Sequence, residues 1–156
     1  MNDGDFASSA VCEETAPLDI ISRRLMNGCI LVVDDSSLNR KFMIRLLSTS
    51  SHGINLLEAE DGESAIGLLR SLSPILAESK VDVILMDNRM PRKDGLQTAR
   101  ELRGLGYRGI IIGVTGDAQE EDMKAFKAAG ADAVLSKPIT FRQLENCMVG
   151  IQRDNL

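Results

Sequence analysis

The chain has 156 residues, of which 44% are hydrophobic and 26% charged, and its formal net charge is -5. This apolar fraction is enough for the core of one domain, so disorder over the whole chain is excluded. The acidic excess argues against binding to nucleic acid phosphates, and the absence of Trp argues against surfaces that stack bases.

The sequence also bears on the cellular compartment. No apolar run approaches the roughly 18 residues that a membrane-spanning helix needs. The first residues are acidic and polar, unlike a secretory signal. Cys12, Cys29 and Cys147 are far apart and are predicted to be unpaired thiols of a reducing compartment. We therefore expect a cytoplasmic protein that binds neither membrane nor nucleic acid directly.

Residues 1–28 differ from the rest of the chain. They hold five acidic and two basic residues, a balance of -3 that leaves -2 for the remainder. They show no clear periodicity, which predicts a flexible acidic tail before a domain at 29–151, with a short second tail at 152–156. Leu18, Ile21 and Leu25 have helical spacing, and we favour a partly ordered linker over a short docking helix.

Apolar, β-branched runs alternate with amphipathic segments from Cys29 onwards. They predict, in chain order, a strand at 29–33, a helix at 37–47, a strand at 54–59, a helix at 65–72, a strand at 81–86, a helix at 96–102, a strand at 109–114, a helix at 123–129, a strand at 133–136 and a helix at 141–149. Leu38, Phe42 and Leu46 lie four residues apart, on one apolar face of the first helix. Pro74 is expected to end the second helix and Gly130 to cap the fourth.

This alternation predicts an α/β fold. Parallel strands need crossover connections, so the helices should cover both faces of a parallel sheet. Right-handed crossovers favour a doubly wound, flavodoxin-like sheet with strand order 2-1-3-4-5. The sequence contains no internal repeat, and because few residues follow the last predicted helix we expect no second domain.

Polar residues follow four of the five predicted strands. Asp34 and Asp35 come after the first strand, Asp87 after the third, Thr115 after the fourth and Lys137 after the fifth. Ligands of open parallel sheets bind beyond the carboxyl ends of the strands. We therefore expect these five side chains to lie together at one edge.

The chemistry of this set points to phosphoryl transfer. Crowded carboxylates repel one another unless a cation neutralises them, and oxygen ligands of this kind suit Mg²⁺. A carboxylate can also attack phosphorus to give an aspartyl phosphate. A Lys ammonium and a Thr hydroxyl add the positioning and charge neutralisation that in-line transfer requires.

The segments ILVVDDSSLNR, VILMDNRMPRKDG, GVTGD and VLSKPI together resemble the receiver domain of two-component response regulators, over about residues 29–150. The sequences of the segments GVTGDA and GADAVLSKPI are most similar to those of receivers in hybrid histidine kinases and phosphorelays. The resemblance implies a histidine kinase or a histidine phosphotransfer protein as partner, and it identifies no downstream partner. A stand-alone receiver and a module of a longer kinase both stay open.

The resemblance also implies roles for the residues at the strand ends. Asp87 would accept the phosphoryl group. Mg²⁺ would be bound by Asp34, by Asp35 most directly, by Asp87 itself and by the backbone carbonyl of Arg89.

Two further residues would contact the phosphoryl group. Thr115 would bond one phosphoryl oxygen and Lys137 would pair with another. The Lys137–Pro138 peptide matches a bond that the family usually keeps cis. The phosphorylated domain would then change its affinity for a partner, and it would assist its own phosphorylation and hydrolysis without being a turnover enzyme.

One position departs from the family pattern. A Tyr or Phe commonly stands three residues before the Lys, and this chain has Val134 there. We expect Thr115 and the loop at 116–118 still to move, with an output that is weaker or uses another surface.

Arg89 and Asp117 stand two residues beyond Asp87 and Thr115, at positions that help to set the lifetime of the phosphate in the family. We hypothesise that they pair across the mouth of the site and slow hydrolysis. The alternative is two solvated charges without contact.

Two other classes of protein share part of this pattern. A haloacid-dehalogenase-type phosphatase would need a DxDx[TV] motif after the first strand, and DDSSL does not supply it. A pseudo-receiver that binds partners without phosphate is disfavoured by the presence of Asp87, Thr115 and Lys137. Nucleotide binding is disfavoured because glycine-rich phosphate loops are absent.

Overall fold

The computed structural model of the protein describes Leu25 and residues 27–51, 53–117 and 119–151. The strands are β1 Cys29–Val33, β2 Asn55–Ala59, β3 Val83–Asp87, β4 Ile110–Thr115 and β5 Ala133–Ser136. The helices are α1 Ser37–Ser50, α2 Gly62–Leu72, α3 Gly95–Gly104, α4 Glu120–Ala129 and α5 Phe141–Gly150, with a 3-10 turn at Leu76–Glu78. Most of the two predicted tails lies outside the described residues.

Within these residues the five strands form one parallel sheet in the order β2-β1-β3-β4-β5, which confirms the predicted fold class. β3 and β4 are buried along their whole length, as expected for parallel strands covered on both faces. The register pairs Val33 with Met86, Asp87 with Val114 and Thr115 with Ser136. The strands therefore end together, at one edge of the sheet.

Each face of the sheet carries its own apolar core, because successive side chains of a strand point to opposite faces. α2, α3 and α4 cover one face, where the largest buried side chains include Leu31, Leu69, Ile84, Leu102 and Phe126. α1 and α5 cover the other face, where the core includes Ile30, Leu47, Leu85, Leu144 and Met148. Leu25 belongs to this second core at 3% exposure, although it precedes the domain boundary expected at residue 29.

The apolar stripe of Leu38, Phe42 and Leu46 does not pack on the sheet as an amphipathic pattern implies. Leu38 and Phe42 are 76% and 59% exposed, and Leu46 is only partly buried. Met43 and Leu47 are the buried residues of α1. They also lie four residues apart, so α1 has two apolar stripes with helical spacing. Periodicity alone does not distinguish which of the two packs against the sheet.

Other local expectations are confirmed. α2 ends at Leu72, two residues before Pro74, and Gly130 follows α4 with a φ of 121°. Cys29 and Cys147 are free thiols, while Cys12 lies outside the described residues. Among the described helices, none has the length and apolar character needed to cross a membrane.

Asp61 caps the N-terminus of α2. Its Oδ1 accepts the backbone N–H of Ser64 at 2.7 Å, and the residue is only 1% exposed. This hydrogen bond lowers the pKa of the Asp61 carboxyl; burial opposes the shift, and the Arg92 guanidinium adds to it. The folded protein therefore favours the ionised form of Asp61.

We expect Asp61→Ala to lower the free energy of unfolding by about 1–2 kcal/mol at neutral pH, because it removes an N-cap. The contribution of Asp61 is complete above the ordinary pKa of 3.8 and is lost as the pH falls from there toward the lowered pKa of the fold. Urea unfolding of both proteins from neutral to acidic pH would show the difference closing. A difference that widened at acidic pH would contradict this.

Candidate functional site

The strand ends bring together the three carboxylates that the sequence singled out. One ligand oxygen from each of Asp34, Asp35 and Asp87 lies within 4.8 Å of the others. Asp34 and Asp87 are buried at 6% and 7% exposure, whereas Asp35 is exposed. β1 and β3 are adjacent and in register, so consecutive residues after β1 and the last residue of β3 meet at this edge.

Backbone contacts fix the position of Asp34. Its Oδ1 accepts the Ser36 N–H at 2.9 Å, and its carbonyl accepts Arg40 Nη1 at 2.8 Å. Ser36 is also the N-cap of α1, so the start of that helix and the carboxylate are held as one unit. Sequence reasoning did not identify Arg40, which gives no signal in the sequence beyond being a basic residue of α1.

Lys137 lies between two of the carboxylates. Its Nζ is 3.2 Å from Asp34 Oδ2 and 3.1 Å from Asp87 Oδ1, and the Lys137–Pro138 peptide is cis. Burial acts to lower the pKa of the Lys137 ammonium, but the charges of Asp87 and Asp34 outweigh it and the net pKa is raised. The folded protein therefore favours the charged form of Lys137.

The cluster still carries excess negative charge. Burial raises the pKa of Asp87; Lys137 opposes this, and the charges of Asp34 and Asp35 add to it. When all are ionised, three carboxylates and one ammonium leave a net charge of -2. A hard divalent cation with oxygen ligands would balance that charge, so the chemistry of the donor set fits Mg²⁺.

Thr115 lines the same cleft as Asp87 and Lys137 and is 5% exposed. Its Oγ1 donates to the carbonyl of Asp117 at 3.0 Å and accepts the N–H of Asp117 at 3.1 Å. The hydroxyl therefore holds the first turn of the β4–α4 loop in place. Ala118, part of the loop segment predicted to move, lies outside the described residues.

Arg89 and Asp117 meet at the mouth of this cleft. Arg89 Nη2 lies 3.3 Å from Asp117 Oδ2, with 80% of the Arg89 side chain and 39% of the Asp117 side chain exposed. Both line the cleft that holds Asp87 and Thr115. The sequence left open whether these two side chains pair or stay separate as solvated charges. In the structure they are in contact.

Val134 lies on β5, with its side chain in the core rather than in the lining of the cleft. It is 7% exposed and belongs to the apolar core beneath α2, α3 and α4. Phe126 of α4 occupies the neighbouring core, where a Cβ on Gly113 would come within 2.8 Å of its ring. The aromatic ring that packs against Gly113, the β4 residue paired with Val134, is therefore supplied by α4 and is 1% exposed.

A second, apolar cavity of about 350 Å³ also borders Asp34 and Asp87. It lies between α1 and the segment after β5, and Phe42, Met43, Pro138 and Ile139 line it. Sequence reasoning missed this cavity because it assigned Phe42 simply to the apolar face of a helix.

The fold and the arrangement of acidic, hydroxyl and ammonium groups define a class of protein, and comparison with known families identifies it. The family model of the response regulator receiver domain matches residues 30–148. The chain belongs to this family and is a receiver domain of two-component signalling. The resemblance seen in the sequence is confirmed.

Relatives of both predicted kinds are found. The two-component response regulator ARR22 of Arabidopsis thaliana is 38% identical over 134 residues, which cover 85% of this chain and 87% of ARR22. The sensor histidine kinase RcsC of Salmonella typhi is 33% identical over 119 residues, which cover 76% of this chain but 12% of the kinase.

A solved structure agrees at the level of the fold. The receiver domain of the histidine kinase CKI1 from Arabidopsis thaliana, complexed with Mg²⁺ and BeF₃⁻, has a TM-score of 0.70 and 29% identity. The match covers 86% of this chain and 95% of that one.

Proposed function

We propose that Asp87 accepts a phosphoryl group from the phosphohistidine of a partner protein and that the phosphate switches binding to another partner. A carboxylate oxygen of Asp87 forms the new bond to phosphorus as the bond from phosphorus to the histidine nitrogen breaks. The histidine nitrogen keeps the electron pair. The observation that carries the proposal is the cluster of Asp34, Asp35 and Asp87, with the Lys137 ammonium bridging two of them.

Mg²⁺ is the cofactor that this cluster fits. Asp34, Asp35 and Asp87 would hold it, together with the backbone carbonyl of Arg89, as the family resemblance implies. When bound, the ion neutralises charge on the carboxylates and on the phosphoryl oxygens. The CKI1 receiver, complexed with Mg²⁺ and the BeF₃⁻ group, supports this assignment.

Lys137 and Thr115 would contact the phosphoryl oxygens. The Lys137 ammonium already faces Asp87, so it would stay beside the new anionic group. The Thr115 hydroxyl has one hydrogen, which now bonds the Asp117 carbonyl. Bonding to a phosphoryl oxygen would break that contact and free the start of the β4–α4 loop, which is the switching step we propose.

The side chains packed in the core beside this loop indicate how strongly the switch can act on the surface of α4 and β5. Val134 is a small side chain in the apolar core, and the nearby Phe126 ring is buried against Gly113. No aromatic side chain at position 134 is present to follow Thr115 inward. We therefore propose that output through α4 and β5 is weak or that another surface carries it.

Acetyl phosphate tests the proposal directly, because it is a small donor that needs no protein contact. The chain is incubated with acetyl phosphate and Mg²⁺, and its intact mass is measured. We expect a gain of one phosphate that a chelator prevents. An unchanged mass with Mg²⁺ present would contradict the proposal and favour an interaction module that works without phosphate.

The Arg89–Asp117 pair is proposed to shield the phosphate from water. We expect Arg89→Ala to raise the rate of dephosphorylation about two- to fivefold, the factor that corresponds to an exposed ion pair of about 0.5–1 kcal/mol. Loss of phosphate from the isolated phosphoprotein is followed by mass. Lys124→Ala is the matched control, because it breaks the exposed pair with Glu120 on α4. An equal rate for Arg89→Ala and the control would contradict the shielding role.

The phosphodonor is proposed to dock on α1. Its exposed face presents Leu38 and Phe42, the helix has no acidic residue, and two of its basic residues, Lys41 and Arg45, are exposed. Phe42 lines the cavity that adjoins the carboxylates. A donor protein must bring its phosphohistidine to Asp87, so the donor must contact the surface of this chain beside the cleft. The matching partner surface is apolar with an acidic rim.

We expect Leu38→Ser to lower the rate of transfer from a phosphorylated histidine phosphotransfer protein about tenfold, because it removes an apolar anchor of the interface. The rate with acetyl phosphate should not change, since that donor makes no contact with α1. Leu72→Ser is the matched control, with a 56% exposed apolar residue on α2. Equal rates of protein-to-protein transfer for Leu38→Ser and Leu72→Ser would exclude docking on α1.

A further inference from the structure

The loop between β3 and α3, residues 88–94, forms one wall of the crevice that opens beside Asp35. The two ends of this loop are well anchored. The Gly95 N–H donates to the Asn88 carbonyl at 2.8 Å, and Met90 is 9% exposed. A Cβ on Gly95 would lie 2.4 Å from the Asp87 carbonyl, so α3 begins in direct contact with the end of β3.

The tip of the loop needs a separate anchor, because Pro91 and Arg92 are exposed. Arg92 has a φ of 65°, a left-handed conformation that residues with a Cβ seldom adopt. Its guanidinium forms an ion pair with Asp61 and lies 3.6 Å from Glu60. A disfavoured backbone conformation thus coincides with a contact that ties the tip to the β2–α2 turn.

The anchor on the other side is rigid. Asp61 is buried and also bonds the Ser64 N–H, whereas the Arg92 side chain is 59% exposed. A Cβ on Gly62 would lie 1.9 Å from Thr98 Oγ1 and 3.2 Å from the Lys93 carbonyl. The β2–α2 turn therefore packs directly against the second half of the loop.

We propose that Arg92 is a positioning residue for the magnesium site. Its ion pair with Asp61 holds the loop 88–94 in register with Asp35 and so places the Arg89 carbonyl for the cation. The inference rests on the proposed function, because it takes the magnesium site as given. It adds a residue that does not touch the ion and that lies on an exposed loop tip.

The physical reason is the precision that a backbone ligand needs. A carbonyl cannot change rotamer to reach an ion, so its position is set by the loop that carries it. The Lys93 side chain pairs with Glu101 of α3, within the same loop and helix unit, so this ion pair does not tie the loop to the β2–α2 turn. Supporting contacts of metal ligands typically change metal affinity about 10–100-fold when they are removed.

Arg92→Gly separates positioning from folding. Glycine adopts a φ of 65° without the steric cost of a Cβ, so the backbone conformation becomes less costly while the ion pair is lost. We expect about tenfold weaker Mg²⁺ binding, measured by calorimetric titration of the full chain with MgCl₂. Lys93→Ala, which breaks the Lys93–Glu101 ion pair instead, should bind Mg²⁺ as the wild type does.

Asp61→Asn provides a second variant in case the unpaired Asp61 carboxylate impairs folding of Arg92→Gly. It keeps the side-chain oxygen that caps α2 and removes the charge that pairs with Arg92. We expect a similar loss of Mg²⁺ affinity, and no further loss in the Asp61→Asn/Arg92→Gly double variant, because both changes break one contact.

The inference is overturned if the wild type binds Mg²⁺ and the folded variants bind it equally well. A wild type that binds no Mg²⁺ would instead remove the proposed function and this inference with it. The two failures are therefore distinguishable.

Discussion

Replacing Asp87 with Asn should abolish the gain of phosphate from acetyl phosphate and Mg²⁺ while leaving the fold intact. An amide has nearly the same shape as a carboxylate but offers no anionic oxygen to attack phosphorus. Folding should tolerate the change because burial raises the pKa of Asp87, which shows that its ionised form is disfavoured in the folded chain. In buffer without Mg²⁺, the variant should be at least as stable as the wild type.

Asp82→Asn is the matched control for this experiment. Asp82 precedes β3, at the end of the strand opposite to Asp87, and its Oδ2 accepts the Cys29 N–H at 2.8 Å. Because this residue is far from the carboxylate cluster, the control should gain phosphate as the wild type does. Intact mass and urea unfolding of the three proteins decide the outcome. A phosphate on Asp87→Asn would place the acceptor at another residue.

Replacing Lys137 with Ala should lower the rate of phosphorylation by acetyl phosphate about 100-fold, the usual effect of removing one preorganised donor to a developing charge. The ammonium now contacts both Asp34 and Asp87. Its loss leaves three crowded carboxylates, which would raise the pKa of Asp87 further and favour its protonated form, which cannot attack phosphorus. It also removes the cation that would pair with a phosphoryl oxygen.

The initial rate of mass gain at saturating Mg²⁺ measures this effect. Lys124→Ala is the control, because it removes one positive charge from the exposed surface of α4, outside the carboxylate cluster. Saturating Mg²⁺ separates slow transfer from weak metal binding. A rate for Lys137→Ala within twofold of the control would show that the ammonium has no part in the transfer.

The pattern of the strands was legible in the sequence because parallel strands covered on both faces are continuous apolar runs. CILVV became β1, and GIIIGV shares all but its first residue with β4, which ends one residue later. The boundaries of helices were less accurate: α1 extends to Ser50 rather than Leu47, and α4 begins at Glu120. Helix ends depend on caps and tertiary contacts that a periodic pattern does not contain.

The carboxylate cluster was predictable for a related reason. Once the strands are parallel and in register, the residues that follow them must meet at one edge. Asp34, Asp35, Asp87 and Lys137 are therefore close in space although up to 103 positions separate them.

The contacts of the loops were of another kind. Arg92 and Asp61 are 31 residues apart and lie in different loops, and nothing in their spacing links them. The sequence likewise left the Arg89–Asp117 contact undecided, because the distance between two loop side chains depends on the loop conformations. Arg92 has a left-handed conformation in a turn that the Lys93 N–H closes on the Pro91 carbonyl at 2.7 Å, and an Arg residue gives no signal of it in the sequence.

By itself, the sequence determined the fold class, the strand order and the groups that gather at the sheet edge, because buried strands and their ends are encoded by residue type and position along the chain. Only the tertiary structure decided which stripe of α1 faces water, that Phe126 fills the core beside Val134 and that Arg92 reaches Asp61. These outcomes depend on competition between surfaces for the same space. Such competition is resolved by packing in three dimensions, and it leaves exposed the apolar face of α1 beside the candidate acceptor.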